Sequence, residues 1–193
     1  IKPDFAIFRV AEVFKEPILR EYATAFFNGY GTEINQFGPG HPDWEDEQYL
    51  FLGRTSRILR ENASIFSKPG FSILVPTLRD SIWVNSFSGE GKTIHTLFSI
   101  RPEGFRGPLF GVAGRVDRHF IDLWNHEELA PVTDAHGRLV ISADIDGFHS
   151  KYLGTNNEGG VGCIISLPER LKASWAGGVL KAECAGAAEI RVW

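Results

Sequence analysis

The residues best suited to chemistry lie in one stretch, residues 28–44, where carboxylates, amides, a histidine and aromatic rings occur together. Glu33 is the central carboxylate of this stretch, and Glu12 follows an earlier apolar run, residues 5–10. Two carboxylates on either side of a bond can act as acid and as base or nucleophile, which is what glycoside hydrolysis requires. The pattern predicts Glu33 and Glu12 as catalytic residues. The alternative is that Glu33 caps a turn and that Glu12 is only hydrated.

The same stretch also offers groups that recognise sugars. Planar hydrogen-bonding side chains suit hydroxyl groups, and aromatic faces suit the C–H surfaces of sugar rings. Asn35 and His41 are the predicted ligands of hydroxyl groups, and Tyr30 or Trp44 is the predicted stacking ring. A carbohydrate substrate is therefore the expected partner.

The elements before and within this stretch must position it. Residues 5–10 and 23–27 are apolar runs of the kind found in strands covered on both faces, and a polar helical piece, residues 16–22, separates them. Asn28 and Gly29 signal a turn after the second run. Two buried strands with a short crossover predict the end of a parallel α/β sheet or barrel. In a β/α barrel, the loop after a strand forms the active-site face.

One long helix is predicted over residues 44–66. Asp43 is the expected N-cap, and three acidic residues follow it in the first turn, where the helix dipole favours negative charge. Residues 68–70 end the helix. The face expected to pack into the core repeats at 4-3-4-3 spacing: Leu52, Ser56, Leu59, Ala63 and Phe66. Phe51, Ile58 and Ile65 widen this face.

From residue 70 onward, short apolar runs alternate with turns. Strands at this spacing without helices between them predict an antiparallel sandwich. The fold class is therefore mixed, with an α/β barrel-like fragment (residues 1–69) followed by an all-β antiparallel sandwich (residues 70–193). The predicted strands are residues 72–75, 81–87, 93–99, 108–112, 119–123, 139–145, 162–166, 171–175, 179–182 and 189–192.

Three other patterns carry weaker signals. Residues 89–93 resemble a phosphate-binding loop but lack its first glycine and precede a strand, so a hairpin turn is the better interpretation. Residues 144–147 match the first residues of a calcium-binding loop, but the later acidic ligands of such a loop are missing. A turn at the end of a strand is therefore the better interpretation, and a weak calcium site is the alternative. The six histidines show no metal-ligand spacing, and there is no Gly-x-Ser-x-Gly elbow. We expect no metal and no cofactor.

Composition limits the partners. The 193 residues carry a net charge of −4 without a basic stripe, and no apolar stretch approaches the ~20 residues of a membrane span, so neither nucleic acid nor a membrane is expected. Methionine is absent, and the first and last segments of the sequence resemble strands. We therefore expect the remainder of a longer polypeptide or a neighbouring domain as a partner. Cys163 and Cys184 are expected to be buried, with a disulfide as the alternative.

Several soft motifs resemble those of barrel-type glycoside hydrolases. Residues 25–33 and 57–63 resemble the last strand and last helix of the barrel, while residues 83–87 and 120–124 resemble strands of the sandwich that follows it. The resemblance implies the C-terminal part of such an enzyme, with the other barrel strands missing from these residues.

Two further functions stay open. The chain could instead be a non-catalytic sandwich module that binds carbohydrate or a protein partner, or a structural domain that supports a neighbour. An exposed aromatic platform would favour binding; the candidates are Trp83, Trp124, Trp175 and Trp193.

Overall fold

A computed structural model of the chain shows two packed antiparallel sheets with a layer of helices on the outer face of the larger one. It describes residues 7–12, 18–35, 38, 40, 43–67, 70–112, 118–148, 159–168 and 171–184. The elements, in chain order, are β1 (Ile7–Glu12), α1 (Leu19–Phe27), β2 (Gly31–Asn35), α2 (Glu45–Glu61), α3 (Ala63–Phe66), β3 (Phe71–Val75), β4 (Ile82–Gly89), β5 (Lys92–Ser99), β6 (Phe105–Gly111), β7 (Arg118–Asp122), β8 (Glu127–Leu129), β9 (Val132–Thr133), β10 (Leu139–Ile145), β11 (Gly160–Pro168), β12 (Leu171–Ala176) and β13 (Val179–Cys184).

The antiparallel sandwich predicted after residue 70 is confirmed within the described residues, where β12 and β13 form a separate two-stranded sheet. The predicted strand at residues 189–192 lies outside the described residues. A six-stranded sheet in the order β3-β4-β5-β11-β7-β8 packs against a three-stranded sheet in the order β6-β10-β9. Alternate residues of each strand face the second sheet, as the two-residue period of a strand requires. The core between the sheets consists of Ile82, Val84, Leu97, Leu109, Phe110, Phe120, Ile141, Ala143, Ile145 and Ile164.

The opposite face of the six-stranded sheet carries the helices. Strand β11 is buried along most of its length because both of its faces are covered, which gives the continuous apolar run typical of such strands. The core on this side draws on all three helices and on the sheet: Ala23, Phe26, Ile58, Ile65, Phe66, Phe87, Ile94, Trp124, Val161, Cys163 and Ile165.

The predicted strand at residues 23–27 is wrong, because this segment is the end of helix α1. Gly29 adopts a φ of 68°, its N–H donates to the Phe26 carbonyl (2.8 Å), and the Tyr30 N–H donates to the Ala25 carbonyl (2.9 Å). These two bonds form a Schellman cap, the commonest way a glycine ends a helix. The turn signal at Asn28 and Gly29 is thus a helix cap, and the second parallel strand is β2, which lies within the predicted loop.

Side chains of the sheet hold the end of helix α1. The Phe27 carbonyl accepts hydrogen bonds from Thr96 Oγ1 (2.6 Å) and Asn85 Nδ2 (3.1 Å), both of which are buried. Gly29 lies so close to the core that a Cβ there would be 2.8 Å from Cδ1 of Phe66. The helical segment and the sheet are therefore joined by specific polar bonds as well as by apolar contact.

The long helix ends earlier than predicted, and its buried face includes polar residues. Helix α2 stops at Glu61, a break at Asn62 separates it from α3, and the N-cap is Trp44 rather than Asp43, with no side-chain capping bond. Ile58, Ile65 and Phe66 are buried as predicted, but the polar residues Gln48 and Thr55 are also buried. Leu52 and Leu59 are half-buried at the edge, and Ala63 is exposed. Gln48 is buried because its Oε1 accepts the Ile18 N–H (3.0 Å) at the start of helix α1.

The turns of the sandwich follow the sequence closely. Glu90 and Gly91, with φ of 54° and 78°, form the tight hairpin between β4 and β5. Asp134 closes another turn. Its pKa is lowered to about 2, mainly because its carboxylate accepts a hydrogen bond from the backbone N–H of Arg138, and to a smaller extent by the Arg138 side chain and the His136 N–H. The sequence did not reveal the two shortest strands, β8 and β9.

Neither cysteine forms a disulfide. Cys163 is buried, as predicted, and Cys184 is half-buried. Burial, followed by the charge of Asp122, raises the pKa of the Cys163 thiol, so it is a core residue and not a nucleophile. In the part of the chain described, no helix has the length and apolar character needed to cross a membrane.

Candidate functional site

The two parallel strands bring the predicted carboxylates to neighbouring positions. Strands β1 and β2 pair with Val10 opposite Glu33 and with Glu12 opposite Asn35. Glu12 and Glu33 are therefore two residues out of register on adjacent strands, with Cα atoms about 8 Å apart by strand geometry. Glu33 is exposed.

Both strands end at a predicted site residue. Glu12 is the last residue of β1, and Asn35 is the last residue of β2. Because the strands are parallel, these two ends lie at the same edge of the pair. Ligands of parallel α/β sheets bind outside this carboxyl edge. The backbone positions of Glu12 and Asn35 therefore lie at this edge, and Glu33 lies two residues before it on β2.

The other predicted site residues fall in three different places. Tyr30 is half-buried directly before β2, so it lies at the amino end of the pair, about 16 Å along the strand from Asn35. Trp44 is half-buried at the N-cap of α2. His41 lies outside the described residues. The fold thus brings Glu12, Glu33 and Asn35 together and places Tyr30 away from them.

A cleft of about 490 Å³ opens at the start of α2. Asp43, Asp46 and Glu47 line its helical wall, and Asp146 lines the wall formed after strand β10. This cleft could not be predicted from the sequence, because its walls are about 100 residues apart and the helix dipole alone explains the acidic first turn. Carboxylate oxygens on two walls can accept hydrogen bonds from the hydroxyl groups of a ligand.

The inner end of this cleft is rigid. The Arg54 guanidinium lies 3.9 Å from the centre of the Trp124 ring, and its Nη2 donates to the Trp124 carbonyl (2.5 Å). Trp124 is buried against Phe51, and Asp122 Oδ1 accepts its backbone N–H (2.8 Å). Trp124 therefore lies in a turn of the core and is not available as an exposed platform.

The calcium alternative is not supported by the surroundings of residues 144–147. Strand β10 ends at Ile145, and Asp144 is ion-paired with Arg106. Across the described ranges, no group of three or more histidine, cysteine or acidic side chains could hold a metal ion.

A buried tyrosine lies close to the start of α2. Tyr22 is almost completely buried, and its hydroxyl has no hydrogen-bond partner among the described residues. Burial, followed by Tyr49 and Glu45, raises the pKa of Tyr22 well above its ordinary value. Tyr22 is therefore neutral throughout the physiological pH range and cannot act as a base.

The similar solved structures are glycoside hydrolases. No protein-family profile and no curated protein matches this sequence. A cyclomaltodextrinase is 14% identical over 75% of this chain and 26% of its own, with a TM-score of 0.46. AmyP in complex with maltose is 10% identical over 78% and 35%, with a TM-score of 0.45. The α-fucosidase of Thermotoga maritima is 17% identical over 78% and 34%, with a TM-score of 0.41.

This chain spans about a quarter to a third of the length of these three structures. Their activities belong to proteins much longer than the residues described here.

Proposed function

We propose that this chain is part of a carbohydrate-active hydrolase that cleaves glycosidic bonds by paired-carboxylate acid/base chemistry. The observation that supports this proposal is the pairing of β1 with β2, which puts Glu12 and Glu33 on adjacent parallel strands near their shared carboxyl edge. Residues 1–69 would be the end of a β/α-barrel-like catalytic domain whose other strands come from the rest of the polypeptide. Residues 70–193 would be its accessory β-sandwich.

In this proposal the two carboxylates divide the chemistry. One of them, as the acid, protonates the oxygen of the leaving sugar, and the other acts as base or nucleophile on the opposite side of the bond. Asn35, at the end of β2, would bind a hydroxyl group, as would His41. The stacking role falls to Trp44, because Tyr30 lies at the far end of β2.

The second candidate is a non-catalytic module that binds carbohydrate through the β12–β13 hairpin. Trp175 is 70% exposed there, and its register partner Leu180 is also exposed. Side chains at paired positions lie on one face, so the hairpin offers an apolar surface of the kind that sugar rings stack on. The other described tryptophans are less suitable, since Trp83 stacks on Phe98 and Trp124 is buried.

The two candidates predict different effects of two tryptophan substitutions. We expect Trp44→Ala in the full-length polypeptide to weaken oligosaccharide binding about three- to tenfold, because one aromatic contact is worth about 0.5–1.5 kcal/mol. Trp175→Ala is the matched control and should leave the affinity unchanged. Calorimetric titration with one α-linked and one β-linked oligosaccharide measures both. If Trp175→Ala weakens binding while Trp44→Ala has no effect, the binding-module function replaces the hydrolase.

A further inference from the structure

A second cleft, of about 350 Å³, lies on the other side of the six-stranded sheet from the helices. His95 of β5 faces the second sheet there, with its ring 4.8 Å from that of Phe110. The cleft is therefore separated by the sheet from the helices and from the first cleft. Its described lining residues are Thr93, His95, Gly111, Val112, Arg118, Phe120 and Ser166.

Arg118 supplies a positive charge to this cleft. Its Nε donates to Ser166 Oγ (2.6 Å), and its Nη2 donates to the carbonyl oxygens of Ser166 (2.7 Å) and Gly91 (3.0 Å). All three acceptors are neutral. Within the described part of the chain, no carboxylate pairs with Arg118 and none lines the cleft, while Nη1 donates to no group. The guanidinium is held in place with two N–H donors unused.

His95 adds a buried nitrogen without a partner. The residue is 9% exposed, and its Nδ1 makes no hydrogen bond with the described residues. Burial, followed by the charge of Arg118, lowers the pKa of His95 to about 4, so the ring is neutral at pH 7. An unpaired buried N–H is rarer than an unpaired buried acceptor, which favours the proton on Nε2. In that tautomer Nε2–H is a donor available to a ligand.

Two hydroxyl groups complete a set of donors. Ser166 Oγ accepts from Arg118, so its own hydrogen can be donated elsewhere. Thr93 Oγ1 shares a hydrogen bond with Ser88 Oγ (3.1 Å) at the rim. The remaining side chains of the lining, Val112 and Phe120, are apolar. The cleft is thus rich in donors, positively charged and without an acidic group among its described residues.

We propose that this cleft binds a small oxyanion, held by Arg118 Nη1, His95 Nε2–H and the hydroxyl of Ser166. The two free N–H groups of Nη1 can each donate a charge-assisted hydrogen bond, which is stronger than a neutral one, to an oxygen of a carboxylate or a phosphate group. The volume suits a small molecule. Two sources share this chemistry: free phosphate and the carboxylate of an acidic sugar.

The test uses the full chain, labelled with ¹⁵N, and two probes titrated separately: inorganic phosphate and glucuronate. We expect saturable shifts of the His95 ring nitrogens with at least one probe, and no comparable shift of the exposed His136. The probe that saturates the shift at the lower concentration shows whether the ligand is a phosphate or a sugar carboxylate. The absence of any saturable shift of His95 with both probes at millimolar concentration would overturn the proposal.

Variants assign the binding to the cleft. Arg118→Gln should lower the affinity for the probe about tenfold or more, as expected for a lost charged hydrogen bond. Arg57→Gln, which removes the same charge from an exposed residue of α2, should not change the affinity. Because Arg118 also joins β7 to β11, His95→Phe is the second variant; it replaces an unsatisfied polar group and should fold while losing affinity. Equal affinity in wild type, Arg118→Gln and His95→Phe would contradict the proposal.

Discussion

Glu33→Gln in the full-length polypeptide is expected to lower the turnover of a glycoside substrate by about 10²–10⁴-fold, the usual cost of losing a general acid or base. The amide has the size of the carboxyl group but cannot exchange a proton or carry the charge. It can still accept a hydrogen bond from a sugar hydroxyl, so substrate affinity should change much less. The loss should therefore appear in kcat rather than in KM.

Glu127→Gln is the matched control for this prediction. Glu127 is an exposed glutamate on β8, at the edge of the six-stranded sheet, and the substitution is chemically the same. Steady-state kinetics of the two variants and the wild type should show a large fall in kcat for Glu33→Gln alone. Unchanged kcat in Glu33→Gln would remove Glu33 from catalysis, and equal falls in both variants would show a general effect of lost charge.

Phe87→Ala is expected to lower the free energy of unfolding by about 3–5 kcal/mol, the range observed when a large buried aromatic side chain is removed. Phe87 is completely buried, its ring stacks on Phe71 (centroids 4.6 Å apart), and it contacts Phe66 of α3 (4.9 Å). A Cβ added at Gly29, in the cap of α1, would lie 3.1 Å from the Phe87 ring. Its loss would leave a cavity where the helices join the sandwich.

Urea unfolding of the full chain measures this effect. The transition should move to lower urea concentration at an unchanged slope, which indicates lost stability rather than a changed denatured state. Ile73→Ala is the control, since Ile73 lies on the neighbouring strand β3 but is 65% exposed, and its loss should stay within about 0.5 kcal/mol. If Phe87→Ala cost no more than this control, the helices and the sheet would not share a core.

The sandwich strands could be predicted because the signals that define them are local. The two-residue alternation of β10 gave its bounds without error, and the glycines at residues 89 and 91 marked the hairpin between β4 and β5. These features depend on neighbours in the sequence, where a two-residue period and a tight turn are both visible. The packing of the two sheets then follows from the need to cover an apolar face.

The error at residues 23–27 has a physical cause. Helix α1 is covered by the sheet on one side and by α2 on another, so most of its residues are buried and the 3.6-residue period is hidden. A fully apolar short segment cannot be assigned to helix or strand by periodicity alone. Asn28 and Gly29 suit a turn after a strand as well as a helix cap, and only the Schellman bonds decide between them.

The face of helix α2 illustrates a different limit. Apolar spacing selected Leu52 and Leu59, yet Gln48 and Thr55 are the more deeply buried residues. Gln48 is buried because it bonds the start of another helix, and Thr55 because its hydroxyl donates to the Leu52 carbonyl (3.0 Å). Buried polar groups with partners follow tertiary contacts, which an apolar pattern does not show.

Some residues of the candidate sites could be placed from the sequence, and others depend on tertiary contacts. The position of Glu12 near a strand end could be inferred from the apolar run before it, whereas the strand that ends at Asn35 lies in a stretch predicted to be a loop. Neither cleft could be inferred, because each is assembled from separate segments. His95, Arg118 and Ser166 come from three strands that are adjacent only in the folded sheet.

The central claim, that Glu12 and Glu33 of this chain serve a glycoside hydrolase, is tested most directly by measuring the release of reducing sugar. The full-length polypeptide and its Glu12→Gln/Glu33→Gln double variant are assayed on a panel of α- and β-linked oligosaccharides, with circular dichroism to show that both are folded. The wild type should release reducing sugar from at least one substrate, and the double variant should lose nearly all of this activity. A folded wild type that hydrolyses none of the panel, or a double variant as active as the wild type, would contradict it.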